Sequence, residues 1–88
     1  MAIEFPNLSR RFVATRRRVR FSGYDGTLER PFFVEEQALW GLDRLAGKGE
    51  AFLLATFDRN RDRICKAAVR ICGKRREGSY TLTAADFS

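Results

Sequence analysis

The chain has 88 residues, 44% of them apolar and 12% aromatic, and a formal charge of +6 with no histidine. That length suits one compact domain over residues 1–88, without room for separate catalytic and regulatory modules, and the apolar content excludes a disordered polyelectrolyte. The longest strictly apolar run, residues 51–55, falls far short of the roughly 20 residues of a membrane span, and the first residues lack the basic and apolar regions of a signal peptide. The expectation is a cytoplasmic domain with no membrane contact.

In chain order, Ile3-Glu4-Phe5 reads as a short edge strand ended by Pro6. Residues 7–17 read as irregular, with Phe12 anchored into the core. Val19 to Gly23 alternates, Tyr24 to Thr27 supplies an Asp-Gly turn, and Leu28 to Val34 returns as a partner strand, which together predict a β-hairpin. Pro31 lacks an amide donor, so the second strand is expected at a sheet edge or with a bulge. Glu35 and Glu36 place negative charge in the first turn of a helix that carries Ala38, Leu39, Leu42, Leu45 and Ala46 and stops at Gly47. After the linker Gly47-Lys48-Gly49, one long helix is expected from about residue 50 to residue 72, ended by Gly73. Beyond Gly78, Tyr80, Leu82 and Ala84 alternate with Thr81 and Thr83 as a last strand. The order ββααβ, with or without the N-terminal strand, predicts an α+β fold: a small antiparallel sheet with two helices packed on one face.

The positive charge is uneven. Residues 1–34 carry seven arginines against three acids, and residues 50–76 carry eight basic residues against three acids. Such a surplus suits an anionic partner, although fourteen of the seventeen basic residues are arginine, which codon bias alone would also produce. On a helical wheel over residues 53–72, Leu53, Phe57, Ile64, Ala68 and Ile71 share a narrow stripe that Leu54, Cys65 and Cys72 extend. The opposite side gathers Arg59, Arg63, Lys66 and Arg70. In the hairpin, Arg18 and Arg20, with Arg16, Arg17 and Tyr24 beside them, face away from Val19 and Phe21. Arg18, Arg20, Arg59, Arg63, Lys66 and Arg70 are therefore the candidate anion- or nucleic-acid-binding residues, and Lys74-Arg75-Arg76 would extend the helical set.

Arg61 breaks the apolar stripe. An unpaired buried guanidinium is costly, so this residue either tethers helix to sheet through a carbonyl or an acid such as Glu35, Glu36 or Asp86, or forks onto an anionic ligand. Cys65 and Cys72, seven residues apart on one helix, stand roughly 10 Å apart along its axis, too far for a disulfide. They read as small apolar residues. Asp58 and Asp62 sit one turn apart among Arg59, Arg61, Arg63 and Lys66, which favours a solvated charged face over a metal site. With no histidine, a serine or cysteine nucleophile lacks its commonest base, and no catalytic residue, metal or cofactor is expected.

Several segments together are similar to a known family. They are Ile3-Glu4-Phe5-Pro6-Asn7, Val19-Arg20-Phe21 before Gly23, Phe33-Val34 ahead of Ala38-Leu39, the run Phe57-Asp58-Arg59-Asn60-Arg61-Asp62-Arg63-Ile64, Gly78-Ser79-Tyr80 and Asp86-Phe87. The chain resembles the bacterial family known as domain of unknown function 1488 over nearly its whole length. The resemblance implies a small α+β domain of the bacterial cytoplasm, makes Arg61 a signature position, and brings no catalytic residues with it.

Two kinds of function fit these features. The first is a non-enzymatic protein-interaction or accessory domain, pairing with a protein partner or with itself as a homodimer through an open sheet face or edge, with Phe33 and Trp40 as surface apolar residues. The alternative is a nucleic-acid-binding protein that uses the basic helix face and the arginine-rich hairpin. Phe12, Phe21, Phe32, Phe52 and Phe57 read as core packing and not as a base-stacking platform.

Overall fold

The computed structural model describes residues 3–6, 9–43, 49–74 and 78–87. In chain order the elements are β1 (Arg10–Val13), β2 (Arg18–Asp25), β3 (Leu28–Glu35), α1 (Glu36–Leu42), α2 (Glu50–Arg59), α3 (Arg61–Lys74), β4 (Tyr80–Leu82) and a 3₁₀ helix over Ala84–Phe87. The sheet order is β1-β2-β3-β4. This is an α+β fold, but the sheet is mixed: β1, β2 and β3 are antiparallel neighbours, and β4 lies parallel to β3. Among the described residues three helices separate β3 from β4, and so long a crossover can return the chain in the same direction, which a tight turn cannot do.

Four expectations need correction. The segment 7–17 contains a strand, because Arg10 to Val13 pair with Phe21 to Arg18 and Phe12 meets Val19 on the inner face. Strand β3, the second strand of the hairpin, is not an edge strand: it has β2 on one side and β4 on the other. Pro31 fits because the hydrogen-bonded pairs alternate. Tyr24 turns its N–H and C=O to Glu4 (2.8 and 2.9 Å), so its register partner Glu29 and, two residues on, Pro31 point theirs away from β2. The β4 pairing begins only at Phe32, so the missing amide proton of Pro31 faces no neighbouring strand.

The third correction concerns the long helix, which is two. Asn60 leaves the helical region at φ −112° and ψ 18°. Its amide donates to the carbonyls of Thr56 and Phe57 (3.1 Å each) and its side-chain Nδ2 donates to Thr56 again at 3.0 Å. Its own carbonyl accepts the Ile64 amide at 3.0 Å and so starts α3. The apolar periodicity survives the break because both helices pack on one core. The fourth is Phe52, which is 62% exposed and no part of that core. The expected end of the first helix and the linker at Gly47 and Lys48 fall outside the described residues; α1 is followed as far as its cap at Asp43.

Val19, Phe21, Phe32, Val34, Tyr80 and Leu82 point inward from the sheet and meet Ala38 and Leu39 of α1, Leu53 and Phe57 of α2, and Ile64, Ala68 and Ile71 of α3. Rings run through this core: Phe57 to Phe21 at 5.1 Å, Phe21 to Phe32 at 5.4 Å, and Phe32 to Tyr80 at 5.3 Å. Such pairs each add about 0.5–1.5 kcal/mol beyond area burial. Trp40 packs half-buried against the same cluster. The opposite face of the sheet, which carries Arg11, Arg18, Arg20 and Phe33, has no helix on it among the described residues.

The turns follow from local chemistry. Asp25 pairs with Leu28, so the hairpin loop is Gly26-Thr27, and the positive φ of Gly26 (65°) at its first position is the type II′ pattern that suits the strand twist. The β1–β2 turn ends in Arg17 at φ 47°, an unusual left-handed arginine. Its carbonyl accepts the first amide of α1 from Glu36 (3.2 Å), and its Nε donates to the Glu36 carboxylate (2.7 Å).

Candidate functional site

The structure divides the basic residues by what they touch. Arg10 on β1 grips Asp58 at the end of α2 with two hydrogen bonds of 2.9 Å. Arg61, the first residue of α3, lays its guanidinium 4.8 Å from the centroid of the Phe57 ring and reaches the same carboxylate at 3.3 Å. The side chain of Arg61 is 20% exposed. A carboxylate it meets is that of Asp58, three residues before it. With the helix broken at Asn60, Arg61 opens a new helix at the margin of the core. The hydrogen bonds from Arg10, more than any other influence, hold the Asp58 carboxyl below the usual carboxylate range. Two guanidinium groups occupy Asp58, which is chemistry of a tether and not of a metal ligand.

Arg59 also leaves the expected set. Its Nε and Nη2 donate to Asp43, the cap of α1, at 2.8 and 2.5 Å, so it ties α2 to α1. The wheel that grouped it with Arg63 assumed an unbroken helix.

Arg63, Lys66 and Arg70 do stand together, and α3 runs on to Lys74, two residues past the end of the expected helix. All four are exposed. At 100° and 1.5 Å per residue they fall within about 80° of arc over roughly 16 Å of helix. Arg63, Lys66 and Arg70 line one wall of a cleft of about 200 Å³ whose other wall is Asp86 and Phe87. Arg70 donates to the Asp86 carbonyl, while the Asp86 carboxylate is turned to the Thr83 amide (2.8 Å) and hydroxyl (3.3 Å). Among the described residues, no carboxylate lies within ion-pair distance of Arg63, Lys66 or Lys74.

Arg18 and Arg20 belong to the helix-free face of the sheet, on the side of the molecule away from α3. The strand register sets Arg11, Arg20, Phe33 and Thr81 in one row across the four strands. Arg18 stacks its guanidinium 3.7 Å from the Phe33 ring centroid and reaches the Thr81 hydroxyl at 3.4 Å. Arg20 makes a loose contact of 3.9 Å with Glu29, whose carboxylate accepts the Ser22 hydroxyl at 2.5 Å. Among the described residues, the buried Nε atoms of Arg18 and Arg20 find no acceptor. Sequence reading missed both Arg11 and the Arg18–Phe33 stack. The signal for Arg11 was the register of a strand that had been read as irregular, and that for the stack was the pairing of β2 with β3.

Cys65 and Cys72 are both free on α3, as their spacing requires. Half-burial pushes the Cys65 thiol pKa up. No described helix is long and apolar enough to cross a membrane.

The fold and these surfaces define a small α+β domain with a mixed four-stranded sheet, helices on one face and two separate basic surfaces. The chain belongs to the family described as protein of unknown function (DUF1488), which it matches over residues 3–83. No curated protein and no solved structure matches it.

Proposed function

We propose that this chain acts in the bacterial cytoplasm by binding and not by catalysis, and that α3 holds a polyanionic partner, nucleic acid. One contrast carries the reading. Arg10, Arg17, Arg59 and Arg61 each meet a carboxylate, whereas the α3 stripe of Arg63, Lys66, Arg70 and Lys74 meets none among the described residues. Like charges at i,i+3 and i,i+4 destabilise a helix by a few tenths of a kcal/mol per pair. Phosphates laid along the stripe reverse the sign of that term. The stripe offers arginine and lysine, which hold phosphates whatever the sequence, and its two arginines can also fork onto guanine edges. The absence of histidine supports a binding role over a catalytic one.

A second reading, a protein-interaction domain with a protein partner or a second copy of itself, is favoured by Phe52, a large ring 62% exposed on α2. Fluorescence anisotropy with labelled oligonucleotides between roughly 50 and 200 mM salt separates the two. Four phosphate contacts on a duplex give a log–log slope of about −3.6. Reversing Arg63, Lys66, Arg70 and Lys74 to glutamate abolishes duplex binding while leaving the circular dichroism spectrum unchanged. A wild-type chain that binds no oligonucleotide at low salt contradicts the proposal, and sedimentation with a Phe52→Asp control then tests self-association.

A further inference from the structure

We infer that the helix-free face of the sheet is a second site, that its ligand is a single-stranded nucleic acid, and that one nucleotide is held with its phosphate between Arg11 and Arg20 and its base on the Arg18–Phe33 stack. This rests on the reading of the chain as a nucleic-acid binder but on different residues.

Arg11 and Arg20 are direct cross-strand partners on the solvent face of β1 and β2. Like charges so placed destabilise a sheet unless an anion lies between them. They border a cleft of about 230 Å³ floored by Phe21 and Ser22. The other charged groups of that cleft are already engaged, Arg10 by Asp58 and Glu29 by Ser22. Among the described residues, exposed Arg11 meets no carboxylate and Arg20 has only its 3.9 Å contact, so both can turn to a phosphate at little cost. Doing so also frees the buried Arg20 Nε to find an acceptor.

The next position across the row is Phe33, roofed by the flat guanidinium of Arg18. A guanidinium lying on a ring leaves its other plane to stack on, and splayed bases stack on such planes. Neighbouring strands are about 4.8 Å apart, so the phosphate seat and the stack are within the span of one nucleotide. An acidic peptide would satisfy the arginine pair and leave the stack unused. A duplex would bring phosphates but keep its bases stacked on one another. A single strand uses both features.

The test is a titration of the isotopically labelled full chain, read by amide chemical shifts, with a thymidine hexamer, a short duplex hairpin and hexaglutamate. The hexamer is expected to shift the amides of Arg11, Arg20, Phe33 and Thr81, and the duplex to shift α3 alone. Arg18→Ala is expected to weaken hexamer binding about tenfold, the loss of one stacked base, without changing duplex affinity. Arg11→Glu, at an exposed position that does not endanger the fold, is expected to do the same. Hexamer shifts confined to α3, wild-type hexamer affinity in both variants, or hexaglutamate shifting the Phe33 row as strongly as the hexamer each overturns the inference. Loss of duplex binding is a separate failure, that of the α3 reading.

Discussion

Gly23 on β2 is a position where one methyl group has a calculable effect. Its inner side is covered by the N-terminal segment, and a Cβ there would lie 2.7 Å from Ile3 Cγ2, 2.8 Å from Phe5 Cε1 and 3.1 Å from Phe32 Cε2. Phe32 is fully buried between the rings of Phe21 and Tyr80 and cannot retreat. Ile3 and Phe5 must therefore lift, against the Glu4–Tyr24 backbone pair and the contacts of Phe5 with Phe21 (5.9 Å) and Phe32 (5.8 Å). Overpacking of this kind costs about 1–3 kcal/mol. Replacing glycine in a strand returns about 0.5–1 kcal/mol through backbone entropy. From the middle of both ranges, Gly23→Ala should thus lose about 1 kcal/mol, or about 4–8 °C in Tm for a domain of this size. Thermal melts give the loss, and hydrogen exchange at the Glu4 and Tyr24 amides locates it, since both should lose protection first. A variant that melts within about 1 °C of wild type, with both amides protected as before, refutes the packing argument.

Asp58→Asn leaves Arg10 and Arg61 without their carboxylate; because the groups are partly exposed, the expected loss is about 0.5–1 kcal/mol in urea unfolding. The pH dependence has a definite sign: Asp58 is held below its unfolded value, so its contribution is full above about pH 4 and fades as pH falls through the lower folded value. Wild type and Asp58→Asn should therefore differ in urea midpoint near neutrality and converge in acid, and a difference that grows in acid would contradict the tether. The raised pKa of the half-buried Cys65 thiol should make it alkylate more slowly with iodoacetamide at mildly alkaline pH than a cysteine in an unstructured peptide, and equal rates would show that burial does not govern it.

The strand alternation from Val19 to Gly23 and the apolar stripe through Leu53, Phe57, Ile64 and Ile71 made the hairpin and the helical side of the core legible, because periodicity reports which side is buried. Periodicity does not report continuity. Asn60 interrupts the helix without interrupting the stripe, and Arg59, at the end of α2, is engaged by Asp43. The direction of β4 was hidden for a related reason, since a three-residue strand after a long helical crossover pairs by tertiary packing and carries no local signal of its partner. Arg61 was legible as an anomaly, but naming its carboxylate required knowing that α3 starts at that residue.

The claim that α3 binds phosphates is tested most directly by the salt slope of single substitutions. Arg63→Gln, Lys66→Gln, Arg70→Gln and Lys74→Gln should each reduce the magnitude of the slope on duplex by about 0.9, one phosphate contact apiece. Arg59→Gln, whose charge is spent on Asp43, should leave it unchanged. If Arg59→Gln lowers the slope as much as Arg63→Gln does, or if none of the α3 substitutions changes it, the partner does not lie along α3.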